Sequence, residues 1–494
     1  MNKGIKFVLY SIGFLVLIYL ILLIPIDDSP DLNIPVYEKF EWKKDDYFKL
    51  LESEFLKNKS LDCSIEDSVI SFRISHINNL LDSSLSNSFN IQSSIYDSVL
   101  NGYFILSTVI PVCCNNLSDY LQLGMKIRNV VKEKTIHSDI KKPEFRNRIY
   151  TLLYGSRAAI EEVLLQLPPD KSPGFLRANP DESLIPSVKI LDIVVRSGDI
   201  LISRGGAPVS ALISRGNDYP GNFSHCAILY VDEKTHTPYI IESHIERGVT
   251  ISNVKEYLDD KKLRIMVLRL RSDLPELQND ILLPHKSAKY IFEKAGESHI
   301  AYDFSLNFEI PDKMFCSEVV YNAYKSQGLK LWEAMTYISD KGTVDWLSSF
   351  GVTNFYTHEP ADLEYDPRIN VVSEWRDRNE LLKDHINNAV TDALLDEANN
   401  GRKLEYNIFM LPIARIIKLY SVILNLFGKV GTIPEGLSAE SALKSESYKI
   451  YHSDISSVVN EKVKNFISVN GYTPPFWELY KISKESTAEY FMNN

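Results

Sequence analysis

Apolar residues follow several different spacings along this chain. The first stretch has none: FVLYSIGFLVLIYLILLI, Phe7 to Ile24, carries no charge and has the length of a helix that crosses a hydrocarbon core. From there to Leu167 the spacing is helical. In RNRIYTLLYGSRAAIEEVLLQL, residues Ile149, Leu152, Leu153, Ile160, Val163 and Leu164 fall on one stripe, three and four apart. The run LPPDKSPGFLRANPDESLIPS then breaks all periodicity with proline and turn formers, which predicts a boundary without regular structure.

Between about Ser187 and Arg376 the period shortens. GDILIS (198–203), SHCAILY (224–230), PYIIES (238–243), GVTIS (248–252) and RIMVLRL (264–270) are short strand-like runs parted by turns. PVSALIS, NVKEYLDD and PHKSAKYIFEKAG read as helices among them, an order that predicts an α+β domain on an antiparallel sheet. Helical spacing returns after Arg376, where Leu382, Ile386, Val390 and Leu394 step by four towards a glycine stop. In YNIFMLPIARIIKLYSVILNLFG (406–428), Arg415, Lys418 and Asn425 share one side and Pro412 interrupts the run. A packed or membrane-surface amphipathic helix is therefore expected there, not a span. The pattern divides the chain into an anchor (1–26), a helical domain (27–180), an α+β domain (181–376) and a helical C-terminal region (377–494).

At 494 residues the chain is too long for one core, which agrees with that division. Its net charge of −11, without a basic block, argues against a nucleic acid partner. Lys3 and Lys6 precede the first apolar run, Asp27, Asp28 and Asp31 follow it, and neither an A-x-A site nor a cysteine comes next. A retained single-pass transmembrane helix is expected, with the bulk of the chain outside the cytoplasm. The five cysteines show no zinc-type pairing. Cys63 with Cys113 or Cys114 offers a disulfide in an exported chain, although buried thiols beside Pro111 are the simpler reading.

Two stretches bear on chemistry. NFSHCAILY sets His225 at the mouth of a buried strand, and DKMFCSEVVYNAYKSQG reads as a helix from Cys316, with Val319, Val320, Ala323 and Tyr324 inward and Gly328 as its stop. A thiol in a first helical turn meets unpaired N–H groups and the positive dipole end, which moves a cysteine pKa from about 8.5 to roughly 3.5–7.5. Singly, a strand-end histidine and a small core cysteine are the plainer readings. Together they make the thiol–imidazole pair that acyl transfer requires. A third polar group should orient the ring, and YIIESHIERGV supplies Glu242, with His244 and Glu246 on the same face. His225, Glu242 and His244 as zinc ligands is the rival, but their spacing matches no ligand motif, and no cofactor is expected. Asp199 reads as a turn cap.

SGDILIS, FSHCAILY, IIES…GV, YDFSLNF…MFCSEVVYNAY and HEPADLEYDPRINVVSEW, in this order over Val188–Trp375, resemble the permuted papain-like amidases of the YaeF/YiiX type. These are relatives of the NlpC cell-wall peptidases and of lecithin–retinol acyltransferase. The histidine precedes the cysteine, as the permuted order requires. The resemblance implies a permuted papain-like antiparallel sheet with a packed Cys-bearing helix. It also implies Cys316 as nucleophile, His225 as base and Glu242 as third residue, with His244 the alternative. Tyr302, Asp303 and Ser224 are expected at the substrate cleft. Cys226, turned away from His225 by strand alternation, is expected in the core. The implied activity is hydrolysis of a peptide or acyl-amide substrate, such as a cell-wall peptide. The alternatives are acyl transfer or lipid deacylation, and an inactive membrane-tethered interaction protein; protein partners are not indicated.

Overall fold

The computed structural model describes residues 3–25, 37–87, 90–177, 183–308, 310 and 312–493. The acidic flank Asp27, Asp28 and Asp31 and part of the proline-rich boundary lie outside them. The described chain begins with helices α1 (Lys3–Leu22), α2 (Asp45–Asn58), α3 (Cys63–Ser86), α4 (Ile95–Ser107), α5 (Leu117–Thr135) and α6 (Pro143–Gln166). Pro143 opens α6, where its fixed φ suits a first turn. The stripe from Ile149 to Leu164 is buried against α4 and α5, with Tyr103, Ile127 and Val131 in the same core. A disulfide joins Cys63 at the start of α3 to Cys113 beyond the end of α4 and leaves Cys114 free. This corrects the expectation of buried thiols: packing α3 against α4 brings the two Cα atoms to 5.2 Å, within bonding range.

Strands β1 (Phe175–Arg177), β2 (Ser187–Ile190), β3 (Ile193–Arg196) and β4 (Ile200–Gly205) follow. After helix α7 (Pro208–Arg215) come β5 (His225–Val231), β6 (Pro238–His244) and β7 (Gly248–Asn253), then α8 (Val254–Asp259) and β8 (Lys262–Leu270). Helices α9 (Pro275–Asn279), α10 (Leu283–Glu297) and α11 (Cys316–Lys325) are next. The short β9 (Thr336–Tyr337) and β10 (Tyr356–Thr357) flank α12 (Lys341–Ser349), and α13 (Asp362–Tyr365) leads into β11 (Ile369–Trp375). The chain ends with α14 (Arg378–Asn399), α15 (Leu411–Leu426), α16 (Ala439–Asn470) and α17 (Phe476–Asn493).

The architecture is α+β, and the main sheet runs β1-β11-β8-β4-β5-β6-β7, antiparallel throughout. Alternation gives it two buried faces. Ile202, Cys226, Ile228, Ile241 and Met266 pack under α10 and α11. Leu201, Ala227, Leu229 and Ile240 share the opposite core with Val195 and Tyr257 of α8.

Two expectations change, and one hairpin was not anticipated. The proline-rich boundary does hold a strand, because Phe175–Arg177 pairs with Ser373–Trp375 at the sheet edge, a partner far along the chain that local composition cannot reveal. The β2–β3 hairpin turns at Leu191 and Asp192, both at positive φ (48° and 62°), with none of the Asn-Gly chemistry that usually marks such a turn. The N-terminal transmembrane helix is not supported, since the uninterrupted apolar part described in α1, Tyr10–Leu22, is short of the roughly 20 residues a span needs. Among the described residues Ile408–Leu426 is the helix long and apolar enough, in the segment expected to be amphipathic. Tyr19 donates to the carbonyl of Phe409 (2.9 Å) and Arg415 to that of Leu22 (2.9 Å), so the two apolar helices lie together.

A buried ionic cluster joins the helical segments to the sheet. Glu161 of α6 receives Arg157 (2.8 Å), Arg264 of β8 (2.6 Å) and His385 of α14 (3.0 Å). Asp384 pairs with Arg204 of β4 and with Arg264.

Candidate active site

Strand β5 begins at His225, so its first side chain stands where the ladder opens to solvent. The register places Ala227 opposite Glu242, which puts His225 and Glu242 on the same face of the sheet. Nε2 of His225 lies 2.8 Å from Oε2 of Glu242. The other carboxylate oxygen meets Nε2 of His244 at 3.2 Å and accepts from the Ser252 hydroxyl at 3.2 Å. Glu242 is thus held by three donors, and it is buried while the two histidines remain partly exposed. The imidazole rings stack with centroids 5.6 Å apart.

Cys316 is the first residue of α11, whose start is braced by the Glu318 carboxylate accepting from the Phe315 N–H (3.0 Å). Its Sγ lies 3.9 Å from the Ser224 carbonyl, next in the chain to His225, and the thiol and the imidazole act on each other electrostatically. Both line one cleft of about 460 Å³, with Ser203, Ser224, His244 and Tyr302 around them. Gly248, at φ 70°, allows the carbonyl of Ile300 to approach β7 and accept from Val249 (2.9 Å), which holds the segment carrying Tyr302 against the sheet.

The electrostatics favour an ion pair. Donation from the neighbouring Cys226 thiol, against the cost of burial and with help from His225, holds the Cys316 thiol well below its ordinary range. Burial alone would lower the His225 imidazole, but its bonds to Cys316 and Glu242 raise it to about 9. Burial opposes ionisation of Glu242, yet bonds from His225 and His244 keep it well below the usual carboxylate range. A thiolate beside an imidazolium can attack an acyl carbon and then protonate a departing amine.

The expected residues divide. Cys316, His225 and Glu242 come together, with His244 on the far side of the carboxylate; Tyr302 and Ser224 line the cleft. Asp303 does not. It is buried, and it accepts from the N–H groups of Ser305 (3.0 Å) and Asn307 (2.7 Å), which builds its own turn. Asp199 accepts from the Arg196 N–H at 2.8 Å and also binds Arg269, so it does cap its turn. Cys226 is core, but the alternation that turns it from His225 turns it towards α11, where its thiol lies 3.6 Å from Ser317 Oγ. Sequence alternation could have suggested that contact once α11 was assigned to the Cys226 face. Among the described residues no group of three or more His, Cys, Asp and Glu is arranged to hold a metal ion.

An antiparallel sheet whose strand-end histidine precedes, along the chain, the helix-borne thiol it faces is the arrangement of a permuted papain-like protein. Residues 194–373 match the family described as permuted papain-like amidase enzyme, YaeF/YiiX, C92 family. The match shows over that stretch the resemblance read from the motifs, and it indicates a cysteine amidase or peptidase. The helical segments on either side lie outside it. No curated protein and no solved structure matches the chain.

Proposed function

We propose that the α+β segment is a cysteine amidase or peptidase in which Cys316 is the nucleophile, His225 the general base and Glu242 the residue that orients the ring. The Cys316 thiolate attacks the amide carbon, and the oxyanion formed is stabilised by backbone N–H groups at the start of α11. The His225 imidazolium gives its proton to the leaving amine, and the C–N bond breaks to leave a thioester on Cys316. Water, deprotonated by His225, attacks the thioester; the acid departs and the thiolate returns. The observation that carries this reading is the shared cleft of Cys316 and His225, with Glu242 at 2.8 Å behind the ring. An amine or alcohol acceptor in place of water would make the same intermediate an acyltransferase.

The substrate class is a peptide or acyl amide, with cell-wall stem peptides the first choice. The chain meets a membrane through the paired helices α1 and α15, where Leu419, Leu426 and Phe427 are 63%, 79% and 77% exposed. An extracytoplasmic location fits the Cys63–Cys113 disulfide. An activity-based thiol probe with mass mapping tests the nucleophile, and peptidoglycan fragments screened against acyl lipids test the substrate. Labelling is expected at Cys316 ahead of Cys114 and Cys226; equal labelling of all three overturns the assignment.

A further inference from the structure

A second cleft, of about 640 Å³, lies where the N-terminal helices, the lead-in to β5 and the C-terminal helices meet. Cys316, His225 and Glu242 do not line it, whereas Trp42, Phe48, Tyr154 and Trp477 do. Phe48 and Trp477 stack at 5.6 Å with an angle of 8° between their planes, and Trp42 lies 5.9 Å from Tyr154. Two carboxylates, Glu52 and Glu162, stand among these rings. Glu52 takes its hydrogen bonds from uncharged donors, Tyr472 Oη (2.7 Å) and Trp477 Nε1 (2.8 Å), and Glu162 accepts from the Phe476 N–H (3.0 Å). Among the described residues neither carboxylate is paired with a lysine or arginine, and burial raises the pKa of Glu162. The cations on the cleft wall already have partners: Arg215 binds both oxygens of Asp392 (2.8 and 2.7 Å), Lys39 pairs with Asp340 (2.6 Å) and Lys43 with Glu41 (3.6 Å).

His385 supplies an independent polar feature of the cleft. The residue is only 5% exposed and lines the cleft, and its Nδ1 is buried without a partner. Its Nε2 lies 3.0 Å from the Glu161 carboxylate, and in the tautomer that donates there Nδ1 is an acceptor. Buried polar atoms left unmatched are costly, and this one belongs to a residue that lines the cleft.

We propose that this cleft binds an organic ammonium ion, a primary amine on an apolar or aromatic body. The N–H groups donate to Glu162, Glu52 and His385 Nδ1, while the aromatic walls take the body and attract the charge through their π faces. An anionic ligand would meet two carboxylates and a lone pair. A neutral one would leave the carboxylates without a countercharge. The site would give the helical segments a role of their own, joined to the α+β segment through Glu161.

The test is calorimetry on the full chain with tryptamine, phenethylamine, octylamine and spermidine, and with tryptophol and indole-3-acetate as neutral and anionic isosteres of tryptamine. At least one ammonium probe is expected to bind. Where it is tryptamine, tryptophol should be about 10-fold weaker or more, the worth of a charged hydrogen bond, and indole-3-acetate should not bind. Glu162→Gln and Glu52→Gln should each weaken the amine about 10-fold, with folding checked by circular dichroism; either variant suffices if the other does not fold. Protein alkylated at Cys316 should bind unchanged, which separates this site from the catalytic cleft. Binding by none of the four amines, equal binding of indole-3-acetate, or wild-type affinity in the folded variants would overturn the proposal. Each of these outcomes leaves the thiol chemistry untouched.

Discussion

Two of the histidine–glutamate pairs among the described residues have nearly the same geometry. His225 meets Glu242 at 2.8 Å, and His385 meets Glu161 at 3.0 Å. Among the described residues the first carboxylate has only hydroxyl and imidazole partners, and its histidine opens on a cleft beside a thiol. The second carboxylate is clamped by Arg157 and Arg264, both almost fully buried, and ties three segments of chain together. In the proposed mechanism one pair moves a proton to a reacting atom, while the other belongs to a buried charge cluster. The bond itself does not separate catalysis from structure; what surrounds the carboxylate does.

That contrast can be broken from either side. The largest effect expected is on turnover in Cys316→Ala: a loss of at least about 10³-fold with an unchanged urea midpoint, because few packing atoms are removed. Retained hydrolysis would reject the thiol mechanism. Glu161→Gln is expected to cost about 3–5 kcal/mol of stability, since it leaves arginines buried without their countercharge, and to show as a lower urea midpoint. A midpoint equal to the parent's would mean the cluster is not structural.

Glu242→Gln should reduce the rate about 10²-fold, at the lower end of what proton transfer contributes, with stability changed less than in Glu161→Gln. Its pH profile sharpens the point. In the proposed mechanism the imidazolium of His225 is the acid that releases the amine, and its pKa is raised to about 9, so wild-type activity should fall as pH rises through 9. Removing the carboxylate removes one of the groups that raise it, so the alkaline limb should move to lower pH; a limb that stays in place would take the orienting role from Glu242. His244→Asn should have the smallest effect, about 0.5–1.5 kcal/mol, the net worth of one hydrogen bond. A larger loss there than in Glu242→Gln would make His244 the orienting residue.

Much of the site was legible in short stretches. SHCAILY and FCSEVVYNAY each carry a period that a single element satisfies, so β5 and α11 follow from spacing, and the order of motifs suggested how they meet. Asp303 misled because a carboxylate beside a tyrosine looks the same whether it faces a ligand or its own backbone. The Phe175–Arg177 strand was hidden because its only claim to be a strand is Ser373–Trp375, far along the chain. Cys226 was placed correctly in the core, but its closeness to Cys316 depends on which face α11 covers.

The order of amino acids alone determined the periods, and with them most helices, the strands around His225 and the uncompensated thiol at a helix start. Those properties are set within a few residues, by side-chain alternation and by the unpaired N–H groups of a first turn. Tertiary structure alone decided which histidine acquired a thiol and which acquired arginines, which cysteines bonded, and where an aromatic-walled cleft was left between the helical segments. Each of these depends on groups brought together from distant parts of the chain, whose mutual burial no local pattern encodes.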